Sequence, residues 1–141
     1  MSSKINKVLK KQSGVIPYRI QDGKIEVLLI TSRDRRKWVM PKGDIPNGMS
    51  PPDSAAKEAW EEAGVIGQVS TQKVGTYQYR KRGKNYRVNM YLLPVETLCE
   101  DYPEAGHRQR QWVDISHAMR WIKINSLKRI LKEFPATELI C

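Results

Sequence analysis

Cysteine is scarce in this chain, acids are outnumbered and long apolar runs are missing, and each shortage excludes something. The two cysteines, Cys99 and Cys141, lie far apart and form no CxxC pair. Neither a disulfide framework nor a thiolate zinc site is therefore expected, and both thiols are read as free in a reducing compartment. No apolar stretch approaches the roughly 18 residues that a membrane-spanning helix needs. The opening residues, MSSKINKVLKKQSG, offer no apolar core of a secretory leader, so a cytoplasmic location is the expectation. Internal repeats, an interdomain linker, and RNP or zinc-finger signatures are also missing. The two histidines, His107 and His117, are too isolated to suggest a zinc site or a catalytic base.

What remains is basic. Twenty-five Lys and Arg against fifteen Asp and Glu leave a net charge of +10 over 141 residues. That length suits one domain with its own core, and that charge favours an anionic partner: a nucleic acid, a nucleotide, another polyphosphate or an acidic surface. Four lysines fall in the first eleven residues, so residues 1–11 are read as a loose basic tail and residues 12–141 as the single domain.

Turn chemistry and periodicity outline that domain. GVIPYRI and KIEVLLIT flank Asp22-Gly23, a strong hairpin signal, which predicts a hairpin over about 13–31. SRDRRK follows as a basic loop and WVM as a short extended segment. Residues 51–63 predict a helix, with Ser50 as N-cap, Pro51 at the first turn, Asp53 at the positive end of the dipole and Gly64 closing it. GQVSTQKVGTYQYR and NYRVNMYLLPVE predict strands around a KRGKN turn. RQRQWVDI predicts a last strand, and SHAMRWI and SLKRILKEF predict short helices. The sum is a mixed sheet flanked by helices.

On the 51–63 helix Glu58, Glu61 and Glu62 occupy i, i+3 and i+4, within an arc of about 100°. Ala56, Ala59, Trp60 and Ala63 are expected to pack on the sheet, with the acids facing outward. Pairs such as Asp53 with Lys57 or Lys57 with Glu61 would make this an ordinary solvated face. Alternatively, a divalent cation relieves the repulsion among such hard oxygen donors, and Mg²⁺, Mn²⁺ and Ca²⁺ suit them. Gly43 and Gly48 just upstream let the backbone approach a ligand closely.

At this point a resemblance enters. Gly43, Glu58, Ala59, Glu61, Glu62, Gly64 and Val65 stand at the spacing of the Nudix box, preceded by a family-like PKG that contains Lys42. The likeness extends over roughly residues 12–134. It implies an α+β fold, an α/β/α sandwich with a mixed sheet. It further implies hydrolysis of a diphosphate linkage by Glu58, Glu61 and Glu62, which with the Gly43 carbonyl would hold Mg²⁺, or Mn²⁺. Met49 and Lys57 depart from the box, where Glu and Arg are expected. In the family these two are thought to brace loop against helix, so an altered brace beside an intact metal helix is the expectation.

Arginines crowd the loops and strands around the presumed cleft. SRDRRKWVMPKG, YRV and HRQRQWV resemble the diphosphoinositol polyphosphate and diadenosine polyphosphate branch of the family. By that likeness Ser32, Arg33, Lys42, Arg87, Arg108 and Arg110 would bind substrate phosphates, and the partner would be an anionic small molecule rather than a membrane. Two other readings stand beside this one: a pyrophosphohydrolase acting on RNA or nucleoside diphosphate derivatives, with the basic tail tracking nucleic acid, and a catalytically weak polyphosphate-binding module. Glu96, Glu100, Asp101 and Glu104 read as an ordinary acidic surface loop. Nothing in these residues specifies an oligomeric state.

Overall fold

A computed structural model describes residues 9–140. The elements are β1 (Leu9–Gln21), β2 (Lys24–Thr31), β3 (Trp38–Val39), β4 (Lys42–Asp44), α1 (Pro51–Ala63), β5 (Val65–Ile66), β6 (Gly75–Lys81), β7 (Lys84–Pro94), β8 (Thr97–Leu98), β9 (Arg110–Asp114), α2 (Ile115–Trp121) and α3 (Asn125–Ile140). Of the expected tail, residues 1–8 lie outside the described residues. Leu9–Lys11 are not tail but strand, paired in parallel with residues 85–87 of β7.

The main sheet runs β3-β2-β1-β7-β6, with β4 added to β1 and β9 to β2. β1 is its axis. One edge pairs in parallel with β7 from Leu9 to Tyr18. The other edge is shared: residues 12–14 bond antiparallel to β4, and residues 18–21 to β2. That sharing lays the Gly43 strand directly beside the sheet's centre. Both hairpins are closed by two residues at positive φ, Asp22 with Gly23 and Arg82 with Gly83, the turn geometry that matches strand twist.

Each face of the sheet carries its own helical layer. On one, Val15, Leu28, Ile30 and Leu93 pack against Ala55, Ala59 and Ala63 of α1. On the other, Ile16, Val27, Leu29, Val88 and Met90 pack against Ile122 after α2 and Leu127, Ile130, Leu131 and Phe134 of α3. The α/β/α sandwich follows from period-2 strands that are apolar on both faces.

α3 runs on past the expected short helix to Ile140, and Lys42–Asp44 form a strand that no local signal announced; two further differences have a visible physical reason. Residues 67–74 are irregular, and β6 begins only at Gly75. Ser70 supplies the reason: its N–H still donates to Leu92 O at 2.9 Å, but its Oγ accepts from Leu92 N at 3.0 Å and donates to Gln72 O at 3.0 Å, so a side chain takes the place of a main-chain acceptor. The packing face of α1 is also rotated from the expected one. Ala55, Ala59 and Ala63 form the buried row, Trp60 is only half-buried, and Glu58 and Glu62 are each 8% exposed. These two acids flank the alanine row instead of opposing it, and β4 and the segment before β9 cover them.

Candidate active site

α1 ends up where its caps put it. Ser50 accepts from Asp53 N at 3.2 Å, and Gly64 closes the helix in the left-handed conformation. Between these limits Glu58 and Glu62 point at β4. A Cβ on Gly43 would collide with the Glu58 carboxyl group, so glycine lets that strand lie against the carboxyl where it stands, and any side chain there would have to displace it. Next to it, Lys42 N donates to Glu62 Oε1 at 3.2 Å.

Arg108 supplies the counter-charge from the far side. Its Nη2 lies 3.4 Å from Glu62 Oε2, its Nε donates to Glu104 Oε1 at 2.7 Å, and its Nη1 donates to Thr31 O at 2.9 Å. Its side chain is 9% exposed, so the guanidinium is held on several sides rather than left to reach into solvent. Burial pushes the Glu62 carboxyl up to about 8 against the pull of Arg108, with the Glu58 charge adding to the rise. Burial raises Glu58 as well, opposed mainly by Lys57. Lys42 is shifted down, chiefly by burial, and its Nζ sits 4.7 Å from the centre of the Tyr79 ring.

The third glutamate is arranged differently. Glu61 takes the Lys57 ammonium at 2.9 Å, and Glu58 lies 3.9 Å from the same nitrogen. Asp53, the other partner expected for Lys57, has no such pair with it. Among the described residues no three His, Cys, Asp or Glu side chains converge as a preformed metal cage.

The loop carrying Met49 is braced from β1. Gln12 Nε2 donates to Asp44 Oδ1 at 2.9 Å at one end of the loop, and Ser13 Oγ donates to Pro51 O at 2.7 Å at the other. Both side chains belong to buried residues. Gln12 also accepts from the Tyr79 hydroxyl at 2.8 Å, and Asp44 takes Lys10 at 3.1 Å. Two neighbouring polar residues on the central strand thus fix both ends of residues 45–50.

Beside the glutamates opens a cavity of about 530 Å³, with Ser32, Arg33, Lys42, Glu62 and Arg108 in its wall. Trp38, Tyr79 and Leu127 add apolar surface, and Arg80 and Lys81 at the end of β6 with Arg82 of the following turn form part of its lining. Two expected phosphate ligands do not line it. Arg87 faces a separate shallow recess with Lys73, Gln78 and Ser126, because β7 alternation turns it to the side opposite Tyr86 and Val88. Arg110 donates to Ala63 O at 2.9 Å and Cys99 O at 2.7 Å and lies over Tyr102. It satisfies the last carbonyl of α1 and ties it to the segment after β8.

Sequence reasoning missed Glu104 and Lys123. Lys123 lines the cavity. Glu104, read as part of an ordinary acidic loop, anchors Arg108, and its N–H donates to Glu61 O at 3.0 Å. Its i, i+4 spacing from Arg108 was the available signal. Nothing in the local pattern singles out Lys123.

The NUDIX domain family model matches residues 10–137. The chain belongs to the Nudix family. Nudix hydrolase 21, chloroplastic, of Arabidopsis thaliana is 34% identical over 127 residues, covering 86% of this chain and 64% of that one. Diphosphoinositol polyphosphate phosphohydrolase 3-beta of Homo sapiens is 29% identical over 114 residues, covering 79% of this chain and 68% of that one. A C. elegans Ap4A hydrolase binary complex superposes with a TM-score of 0.81 over 94% of this chain and 100% of that one, at 24% identity, and shares the fold. Family and hydrolase relatives together indicate a pyrophosphohydrolase enzyme. Among the described residues no helix of this Nudix chain is long and apolar enough to cross a membrane.

Proposed function

We propose that this Nudix enzyme hydrolyses a diphosphate linkage in a highly anionic small molecule, of the kind represented by a diphosphoinositol polyphosphate or a diadenosine polyphosphate. The observation that carries this reading is the lining of the 530 Å³ cavity: eight Lys and Arg side chains against two acids, Asp34 and Glu62. Clustered cations with few internal partners suit a ligand carrying many phosphate charges. The names of the human and C. elegans proteins point the same way.

The residues fit a divalent cation. Glu58 and Glu62 are hard donors pressed together with burial raising both, and Gly43 leaves β4 free of a side chain at that point. Glu58, Glu61 and Glu62 with the Gly43 carbonyl would hold Mg²⁺ or Mn²⁺. When bound, such an ion neutralises phosphate oxygens and lowers the pKa of a coordinated water. The chain's own residues do the rest. Lys42 and Arg33 would bind and orient phosphate oxygens on the cavity side, and Ser32, whose hydroxyl donates to Asp34 Oδ1 at 2.6 Å, would join them by turning from that partner. Arg108, fixed by Glu104 and Thr31, holds the Glu62 carboxylate in place. Glu58, which carries no close arginine partner, would in an alternative role orient or deprotonate the attacking water instead of holding the ion.

Glu62→Gln tests the reading. With Mg²⁺ and a panel of diphosphoinositol, diadenosine and 5′-triphosphorylated RNA substrates, wild type is expected to release product from the first two classes. The variant is expected to lose that release by two or more orders of magnitude. Equal release by both proteins would remove the catalytic assignment. Selectivity for RNA that disappears when residues 1–8 are deleted would replace the substrate class.

A further inference from the structure

Lys57 stands at a Nudix-box position where arginine is expected, and Met49 at the position of its usual acidic partner. Without that partner the ammonium has turned to the metal-facing row of α1. It lies 2.9 Å from Glu61 and 3.9 Å from Glu58, and the i, i+4 geometry holds it there. The loop does not need it, because Gln12 and Ser13 already fix both ends of residues 45–50. Of the three glutamates, the one that fails to join the Glu58 and Glu62 pair is the one Lys57 holds.

The geometry points to Lys57 as a built-in counter-ion that competes with divalent metal for Glu61, so that metal loading requires displacement of the ammonium. This rests on the reading of α1 as the metal helix. The physical reason is direct. A monovalent cation tethered beside a carboxylate neutralises it in the metal-free protein, and an arriving dication must both break that pair and tolerate the ammonium nearby. The Lys57 and Glu61 side chains are 40% and 32% exposed, so the pair is weak enough to be displaced and the competition is modest. An arginine braced against an acid at position 49 would leave Glu61 free. The departure of two residues from the box thus lowers metal affinity through one side chain.

The test is Mn²⁺ binding, read from the electron paramagnetic resonance signal of free Mn²⁺, with no turnover involved. It compares wild type, Lys57→Met, Lys57→Gln, Lys57→Arg and Glu62→Gln, each checked for folding by thermal denaturation. Lys57→Met and Lys57→Gln are expected to bind Mn²⁺ about two- to fivefold more tightly than wild type, the weight of a half-exposed ion pair. Lys57→Arg, which keeps the charge, is expected to stay within about twofold of wild type. A merely structural role for Lys57 would give weaker binding in the neutral variants, so the direction of the change separates the two. Should methionine compromise folding, the glutamine variant carries the same comparison. Neutral variants that bind no more tightly than wild type, while Glu62→Gln binds more weakly, overturn the role of Lys57 and leave the metal helix standing. Unchanged Mn²⁺ binding in Glu62→Gln overturns the metal helix and this inference with it.

Discussion

The two faces of the central sheet solve different problems. On the α1 face three alanines, Ala55, Ala59 and Ala63, bring the helix close to Val15, Leu28 and Ile30, and that closeness presses Glu58 and Glu62 against β4. On the other face the α2 and α3 layer meets the sheet through large side chains such as Leu131, Met90 and Phe134, and the spacing leaves room for the cavity between Tyr79, Trp38 and Leu127. Small residues set the position of charged groups, and large ones leave a volume for the ligand. The proposed site therefore lies where a tight layer and a loose layer meet at one end of the sheet.

The largest effect is expected where the tight layer touches the glutamates. Gly43→Ala drives a methyl group into the Glu58 carboxyl group, and a shift of that group is expected to cost roughly 10²-fold in kcat/KM, with far-UV circular dichroism unchanged. A variant that keeps wild-type kcat/KM would show that the close approach of β4 has no bearing on the reaction.

Packing on the two faces can be set against each other next. Ala59, fully buried on the α1 face, has no room for extra carbons, so Ala59→Leu should lower unfolding free energy by about 1–3 kcal/mol in a urea titration. Leu127→Met on the cavity side, a swap of similar volume, should cost less than about 1.5 kcal/mol. Equal losses at the two sites would erase the contrast between the layers.

A smaller effect separates two arginines that lie close in sequence. Arg110 bonds two main-chain carbonyls, Ala63 O at the end of α1 and Cys99 O after β8, so Arg110→Lys should lower stability by about 1–2 kcal/mol and leave KM within about twofold of wild type. A large rise in KM without loss of stability would return Arg110 to the substrate.

The smallest effect is a pH dependence at the start of α2. Asp114 accepts from His117 N and from His117 Nδ1, each at 2.8 Å. The backbone bond first, and the His117 side chain second, hold its carboxyl down to about 2 from an ordinary 3.8. A depressed carboxyl stabilises the fold above its unfolded value, so that contribution is present above pH 3.8 and disappears as pH falls through about 2. Asp114→Asn should lower Tm by a few degrees near neutrality and flatten the slope of Tm between those pH values. A slope that is unchanged in the variant would assign it to other carboxylates.

Much of the fold was legible because its signals are local. Asp22-Gly23 and Arg82-Gly83 set both hairpins through backbone conformation at neighbouring residues. Ser50, Pro51 and Gly64 bounded α1 at the residues observed, since capping needs only the groups at a helix end. The glutamate spacing and the glycines identified the family. Helical periodicity placed the three acids together but misjudged which way they face, because Trp60 looks apolar in a pattern and yet is too large for the close helix-to-sheet contact that the alanines make.

The sequence by itself determined both hairpins, the bounds of α1, the family and the short list of acids, since each depends on residues within a few positions of one another. Only the tertiary structure decided which charges meet. β1 shares one edge between β4 and β2, and this sets Gly43 on Glu58. The segment before β9 brings Arg108 and Glu104 to Glu62 and sends Arg110 to the end of α1. Such pairings join residues tens of positions apart, and their energies depend on burial and distance, which no spacing along the chain encodes.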